Sequence, residues 1–395
     1  MKALVRSLVG RSPRGLVLAA AFASAACSES WEATPARGAG SGGGAGSGAD
    51  PLPTDFPQGL RVSENRLVDR HGTEIILRGV NRSGTEYRCI QGAGIFDGPD
   101  TEESVQAMTT WNINAVRVPL NETCWLDING APVTNSGEAY QRAIRDYVTL
   151  LHRYQLIPIL ELHWAAPGDE RATGQRPMPN ADHTAAFWAD VAATFNDDSG
   201  VILEPYNEPF LYQFGDQQQQ VCGEEAWNCW RDGCTILPDD YQAAGMQELV
   251  TAIRDTGSTH VILLGGLDWS NCFDGFLSHL PDDPIGNLAA SWHVYNFTRC
   301  SFPGCWDSHP ADVARVMPVI ATELGQDNCQ GEWVKPYLQW LDDHRMGYLA
   351  WQWNSGACVP GDRGASLFLV QDYARALPSS EYAQTVRDHF QAAAR

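Results

Sequence analysis

The sequence predicts an α/β protein built as a (β/α)8 TIM barrel preceded by an N-terminal β-hairpin. Three observations carry that expectation. Eight short apolar runs of strand length recur along the chain, segments of helical periodicity lie between them, and several runs end by switching from apolar to polar residues. With 395 residues, 44% of them hydrophobic, the chain can bury one large core.

Residues 1–27 read as an export signal. Lys2, Arg6, Arg11 and Arg14 make a basic region, and the apolar stretch 15–26 is too short to span a bilayer. The stretch ends in Ser24-Ala25-Ala26-Cys27, which resembles a lipobox with Ser24 where Leu is usual. Cys27 is therefore the expected lipidation site, giving a cell-surface or outer-membrane lipoprotein; cleavage by an ordinary signal peptidase would instead give a secreted protein. Residues 28–51, with the core GAGSGGGAGSGAD, lack the side chains to build a core and are expected to form a flexible tether. The folded domain is expected over 52–395.

Within it, residues 60–79 alternate apolar and polar positions around His71-Gly72, which predicts the hairpin. The eight apolar runs are 77–81, 115–120, 157–164, 201–209, 261–269, 288–295, 319–325 and 347–354. Helical periodicity marks 138–154, 183–195, 241–256 and 332–344 between them. Eight alternating units favour a closed parallel barrel over an open sheet. No glycine-rich phosphate motif follows any run, so no nucleotide cofactor is expected.

Eleven cysteines leave ten once Cys27 is set aside, an even number suited to disulfides in an oxidising compartment. All ten fall after strand ends, and they lack the paired CxxC spacing of a zinc site. Cys89 with Cys124 and Cys329 with Cys358 are the expected pairs, each joining loops of adjacent strands. The net charge of −21 speaks against a nucleic-acid partner, since phosphate neutralisation needs clustered Lys and Arg. A solvated acidic surface accounts for the excess.

In a barrel the strand C-termini face the active site. Two carboxylates stand there: Glu208 in Tyr206-Asn207-Glu208-Pro209 and Glu323 in Ala321-Thr322-Glu323-Leu324-Gly325. Either alone is open to a structural reading as an ion pair or a loop hydrogen bond. As a pair they match what glycosidic cleavage needs, one group protonated and one ionised. Further elements follow in order: Leu77-Arg78-Gly79-Val80-Asn81, Arg117 in Val116-Arg117-Val118-Pro119, His163 in Leu162-His163-Trp164, His293 and Tyr295 in Trp292-His293-Val294-Tyr295, and Trp351 in Ala350-Trp351-Gln352-Trp353. This series, spread over residues 60–395, resembles glycoside hydrolase family 5 of the cellulase superfamily.

The resemblance implies a retaining β-glycosidase with Glu208 as general acid/base and Glu323 as nucleophile. Its substrate would be a β-1,4-linked glucan or a related plant polysaccharide or oligosaccharide, cleaved without metal or cofactor. Asn207 is then expected at the sugar 2-hydroxyl. Arg117 is expected to lower the pKa of Glu323, Tyr295 to donate to the same carboxylate, and His163 and His293 to bind hydroxyls or orient the glutamates. Trp351 is the expected sugar platform; strand alternation sends Trp353 to the same side, so that one of the two would be the platform and the other barrel filling. Trp125, Trp164 and Trp269 are further subsite candidates. The long segment 210–240 is expected to wall off one end of the cleft, which would favour trimming of chain ends. A monomer with no membrane contact beyond the lipid anchor is expected. The competing reading is a non-catalytic carbohydrate-binding lipoprotein on the same barrel, which has no need of both carboxylates. A metal-dependent hydrolase would want clustered His and Asp ligands, and no HxH motif occurs.

Overall fold

A computed structural model describes residues 56–212 and 221–393. The export signal, Cys27 and the tether lie outside the described residues. Eight parallel strands close into a barrel: β1 (Arg78–Asn81), β2 (Ala115–Asn121), β3 (Ile157–Trp164), β4 (Ile202–Glu204), β5 (Val261–Gly265), β6 (Leu288–Tyr295), β7 (Val319–Gly325) and β8 (Gly347–Ala350). Each pairs with the next in sequence, and β8 returns to β1 with Tyr348 opposite Arg78. The four helices that periodicity locates are Glu138–Arg153, Thr184–Thr194, Met246–Asp255 and Val334–Asp343.

Strand alternation divides the core in two. Residues such as Val116, Val118, Leu160, Leu203 and Trp292 point outward into the shell beneath the helices. Their neighbours Ala115, Ile157, Ile159, Ile202, Leu263 and Leu349 point inward and fill the lower barrel. Phe56, Leu60 and Leu67, from the N-terminal segment and hairpin, close it from below.

Three local features depart from the sequence reading. The hairpin pairs Arg61–Ser63 with Arg66–Val68, and its turn is Glu64-Asn65 rather than His71-Gly72. Left-handed Glu64 (φ 55°) beside Asn65 makes the two-residue loop, and His71-Gly72 forms a second turn in which Asp69 N donates to Thr73 O. β4 stops at Glu204, because Pro205 has no N–H for the ladder and Asn207 N turns to Leu162 O at 3.0 Å. Glu208 therefore stands in the loop above the strand. β5 and β8 likewise stop early, at Gly265 and Ala350.

β7 carries a bulge. Ser291 of β6 faces Ile320, yet His293 faces Glu323, and the register shifts against β8 over the same residues. One extra residue lets the adjacent side chains of Thr322 and Glu323 both reach partners inside the barrel. Above the strands, five disulfides brace the loops. Cys89–Cys124 and Cys329–Cys358 form as expected, joined by Cys222–Cys272, Cys229–Cys234 and Cys300–Cys305.

Candidate active site

The inward face that carries apolar residues low in the barrel carries polar ones higher up. In β2, Ala115 is followed two residues on by Arg117; in β3, Ile157 and Ile159 by Glu161 and His163; in β4, Ile202 by Glu204. β6 continues from Ala289 through Ser291 and His293 to Tyr295.

Arg117 is the hub. Its Nε donates to Glu204 at 2.6 Å, Nη1 to Glu323 at 2.8 Å and to Asn81 Oδ1 at 3.0 Å, and Nη2 to Asn207 Oδ1 at 2.8 Å. Glu161 lies 3.4 Å from the same guanidinium. Burial opposes its charge, but the three carboxylates outweigh that and hold the guanidinium firmly protonated.

Glu323 accepts from Arg117 through one oxygen and from the Tyr295 hydroxyl, at 2.6 Å, through the other. Glu208 faces His293 Nδ1 at 2.9 Å through Oε1 and accepts from Gln175 Nε2 at 3.1 Å through Oε2. An oxygen of each glutamate and a ring nitrogen of His293 all lie within 4.8 Å of one another. Burial raises both carboxyl pKa values above the usual range. For Glu323, desolvation outweighs the pull of His293 and of Arg117, which lowers the value as expected. The two groups titrate as a pair, and the first negative charge belongs on Glu323, which has a guanidinium and a phenol donating to it. Burial pushes His293 down to about 4, so its imidazole is neutral.

Three donors at this spacing could also hold a cation. The Arg117 guanidinium 2.8 Å from Glu323 sets a permanent positive charge against one, and His293 Nδ1 is already engaged with Glu208.

These side chains open into a cleft of about 710 Å³ lined by His163, Asn207, Glu208, Trp269, Tyr295, Glu323 and Trp351, among others. Against known proteins, the profile of Cellulase (glycosyl hydrolase family 5) matches residues 68–357. The chain belongs to glycosyl hydrolase family 5.

Among curated family members, a mannan endo-1,4-beta-mannosidase of Streptomyces lividans is 22% identical over 75% of this chain and 66% of its own length. Endoglucanase MaCel5A of a Microbulbifer species is 24% identical over 76% of this chain and 54% of its own. The chain thus spans less than two thirds of either relative. Among solved structures, a thermostable, halotolerant GH5 cellulase from an Icelandic hot spring isolate superposes with a TM-score of 0.61 at 16% identity, covering 87% of this chain and 97% of that one. A beta-mannanase from Streptomyces thermolilacinus gives 0.58 at 22%, covering 85% and 97%.

Arg117, Asn207, Glu208, His293, Tyr295 and Glu323, read from the family 5 pattern, come together in one hydrogen-bonded group. His163 stands beside it, its Nδ1 2.6 Å from Glu161 and its ring stacked on Trp351 at 5.5 Å. One of Trp351 and Trp353 meets the cleft and the other fills the core, as expected, but they do not share a side. β8 has ended before them, so alternation no longer applies; Trp351 lines the cleft, while Trp353 is fully buried edge-on to Trp111. Trp125 is also buried, donating to Asp190, and is no subsite; Trp164 is half-buried and does not line the cleft. Trp269 does line it, stacked on Phe210 at 4.8 Å. In the long segment, Trp227 and Trp230 are core residues, and Val221 reaches the cleft.

Sequence reasoning quoted Asn81 and Thr322 within motifs without giving them a role, and missed Glu161, Gln175, Glu204 and Ser291. A signal for two of them existed: an acidic residue inside an apolar strand, in phase with His163 or with the inward Ile202, is a buried charge in need of a partner.

Proposed function

We propose that this protein is a retaining β-glycoside hydrolase that cleaves β-1,4-linked plant polysaccharides of the glucan or mannan type. The observation that carries the reading is that one oxygen of Glu208 and one of Glu323 lie within 4.8 Å of each other. Inverting enzymes separate their carboxyl groups by about 6.5–9.5 Å to admit a water, and retaining ones by about 5–5.5 Å. The family's curated relatives carry endoglucanase and mannosidase names, which supports the two backbones named.

In this reading ionised Glu323 attacks the anomeric carbon while Glu208 gives its proton to the departing oxygen. Glu208 then takes a proton from the water that releases the sugar from Glu323. Because Asn207 Oδ1 accepts from Arg117, its amide NH2 is left to donate to the sugar 2-hydroxyl. Trp351, braced by His163, offers a ring face to the sugar at the cleavage point, and Trp269 with Phe210 offers a second across the cleft mouth. The basic, apolar N-terminus ending at Cys27 supports export and lipid tethering as part of the same proposal.

A panel of glucans and mannans with product analysis tests the substrate. Glu323→Gln is expected to lower turnover by more than about 10⁴-fold on whichever is cleaved, with the thermal melt little changed. Near-wild-type hydrolysis by that variant would remove Glu323 from the role.

A further inference from the structure

Behind the two glutamates lies a closed file of hydrogen-bonding groups that the reaction itself does not touch. His293 Nε2 is 3.0 Å from Thr322 Oγ1, which lies 3.1 Å from Glu204 Oε1. Ser291 Oγ is 2.6 Å from the same Glu204 oxygen and also contacts Thr322 Oγ1. All four side chains are buried.

Counting protons fixes their direction. Glu204, the ion-pair partner of Arg117, offers only acceptor oxygens; Ser291 and Thr322 bring one proton each. Suppose Thr322 gave its proton to His293. Ser291 would then have one proton for two contacts, leaving either two hydroxyl oxygens face to face or the buried Glu204 oxygen without a donor. Either is unfavourable in a site closed to water, where nothing else can supply the missing proton. If instead His293 Nε2–H donates to Thr322, then Thr322 donates to Ser291 and Ser291 to Glu204, and of the four contacts only the longer one between Thr322 and Glu204 is left without a proton.

We infer that Ser291, Thr322 and Glu204 are positioning residues that hold His293 as the Nε2–H tautomer, so that its bare Nδ1 keeps Glu208 in the acid form. This rests on the reading of Glu208 as acid/base. The Nδ1 lone pair, 2.9 Å from Glu208 Oε1, is satisfied only when Glu208 carries a proton to donate. A carboxylate there would face a lone pair. Once the leaving oxygen has taken that proton, the same unsatisfied contact favours its recovery from water as the water oxygen bonds to the anomeric carbon. The charged and titratable groups around the pair are Arg117 on β2, Glu161 and His163 on β3, Glu204 at the end of β4, Tyr295 on β6 and Glu323 on β7. Burial acts in the same direction, lowering the His293 pKa to about 4 and raising that of Glu208.

Long-range proton–nitrogen NMR of the histidine-labelled wild-type protein near pH 6 reads the tautomer without any variant. The expected result is a protonated Nε2 and an unprotonated Nδ1 for His293; a proton on Nδ1 overturns the inference. Thr322→Val removes the acceptor, lets the imidazole proton move to Nδ1 and so favours ionised Glu208. The basic limb of kcat/KM should move down by about one pH unit, a roughly tenfold loss at a pH on that limb, and Thr322→Ser should restore it. An unmoved limb in folded Thr322→Val also overturns it. Failure of the acid/base reading itself would appear separately, as undiminished hydrolysis by Glu208→Gln whatever the tautomer.

Discussion

The lower and upper halves of the barrel interior are built by the same strands and are almost equally buried, yet they hold opposite chemistry. Below, Ile157, Ile159, Ile202, Leu263 and Leu349 pack with no polar group among them. Above, Arg117, Glu161, Glu204, Ser291, His293, Thr322 and Glu323 are held at 0–3% exposure by hydrogen bonds and ion pairs. The apolar half stabilises the fold by keeping hydrocarbon out of water. The polar half is costly to desolvate, and what it gains is one defined arrangement of donors and acceptors. A barrel can thus place stability and function on alternate stretches of a single strand.

Breaking the polar half at its hub gives the largest effect. Arg117→Met leaves Glu161, Glu204 and Glu323 without their shared cation, and a loss of about 3–5 kcal/mol is expected in chemical denaturation. The sign of the pH effect follows from the same contact. Arg117 pulls the Glu323 pKa down against burial, so its removal lets the pKa rise and moves the acid limb of residual kcat/KM to higher pH. Ile159→Ala, one turn of the pleat below Glu161, sharpens the contrast. It is expected to cost a similar 2–5 kcal/mol through cavity formation while leaving both limbs in place. A shifted limb in Ile159→Ala would show that the two halves are not separable. The smallest effect belongs to the cleft wall: Trp351→Ala should raise KM about five- to tenfold on an oligosaccharide, with the pH profile unaltered.

Much of this division is written in the sequence. Period-two alternation marks the inward face of β2, β3 and β6, and the polar residues at its upper end name Arg117, His163, His293 and Tyr295. Other parts are set by neighbours and not by local pattern. The bulge in β7 depends on its register against β6 and β8, so nothing in Ala321-Thr322-Glu323 announces that two successive side chains work inside the barrel. Whether a tryptophan near a strand end lines the cleft or fills the core depends on where that strand stops, which separates Trp351 from Trp353. Three consecutive residues, Asp268, Trp269 and Ser270, take left-handed φ values of 58°, 57° and 56°, and this turn, fixed by Trp269 N on Pro209 O, brings Trp269 to the cleft. The balance at Glu323 is a third case. The attraction of Arg117 is legible from its presence, whereas the desolvation that exceeds it is a property of the closed barrel.

The central claim is that Glu323 reaches the anomeric carbon directly, with no water between. Proton NMR of the first product released from a β-linked substrate, followed before mutarotation, tests it. Two successive inversions predict the β anomer at the new reducing end. An initial α anomer would mean a single inversion by a water, and would contradict the roles given to both glutamates.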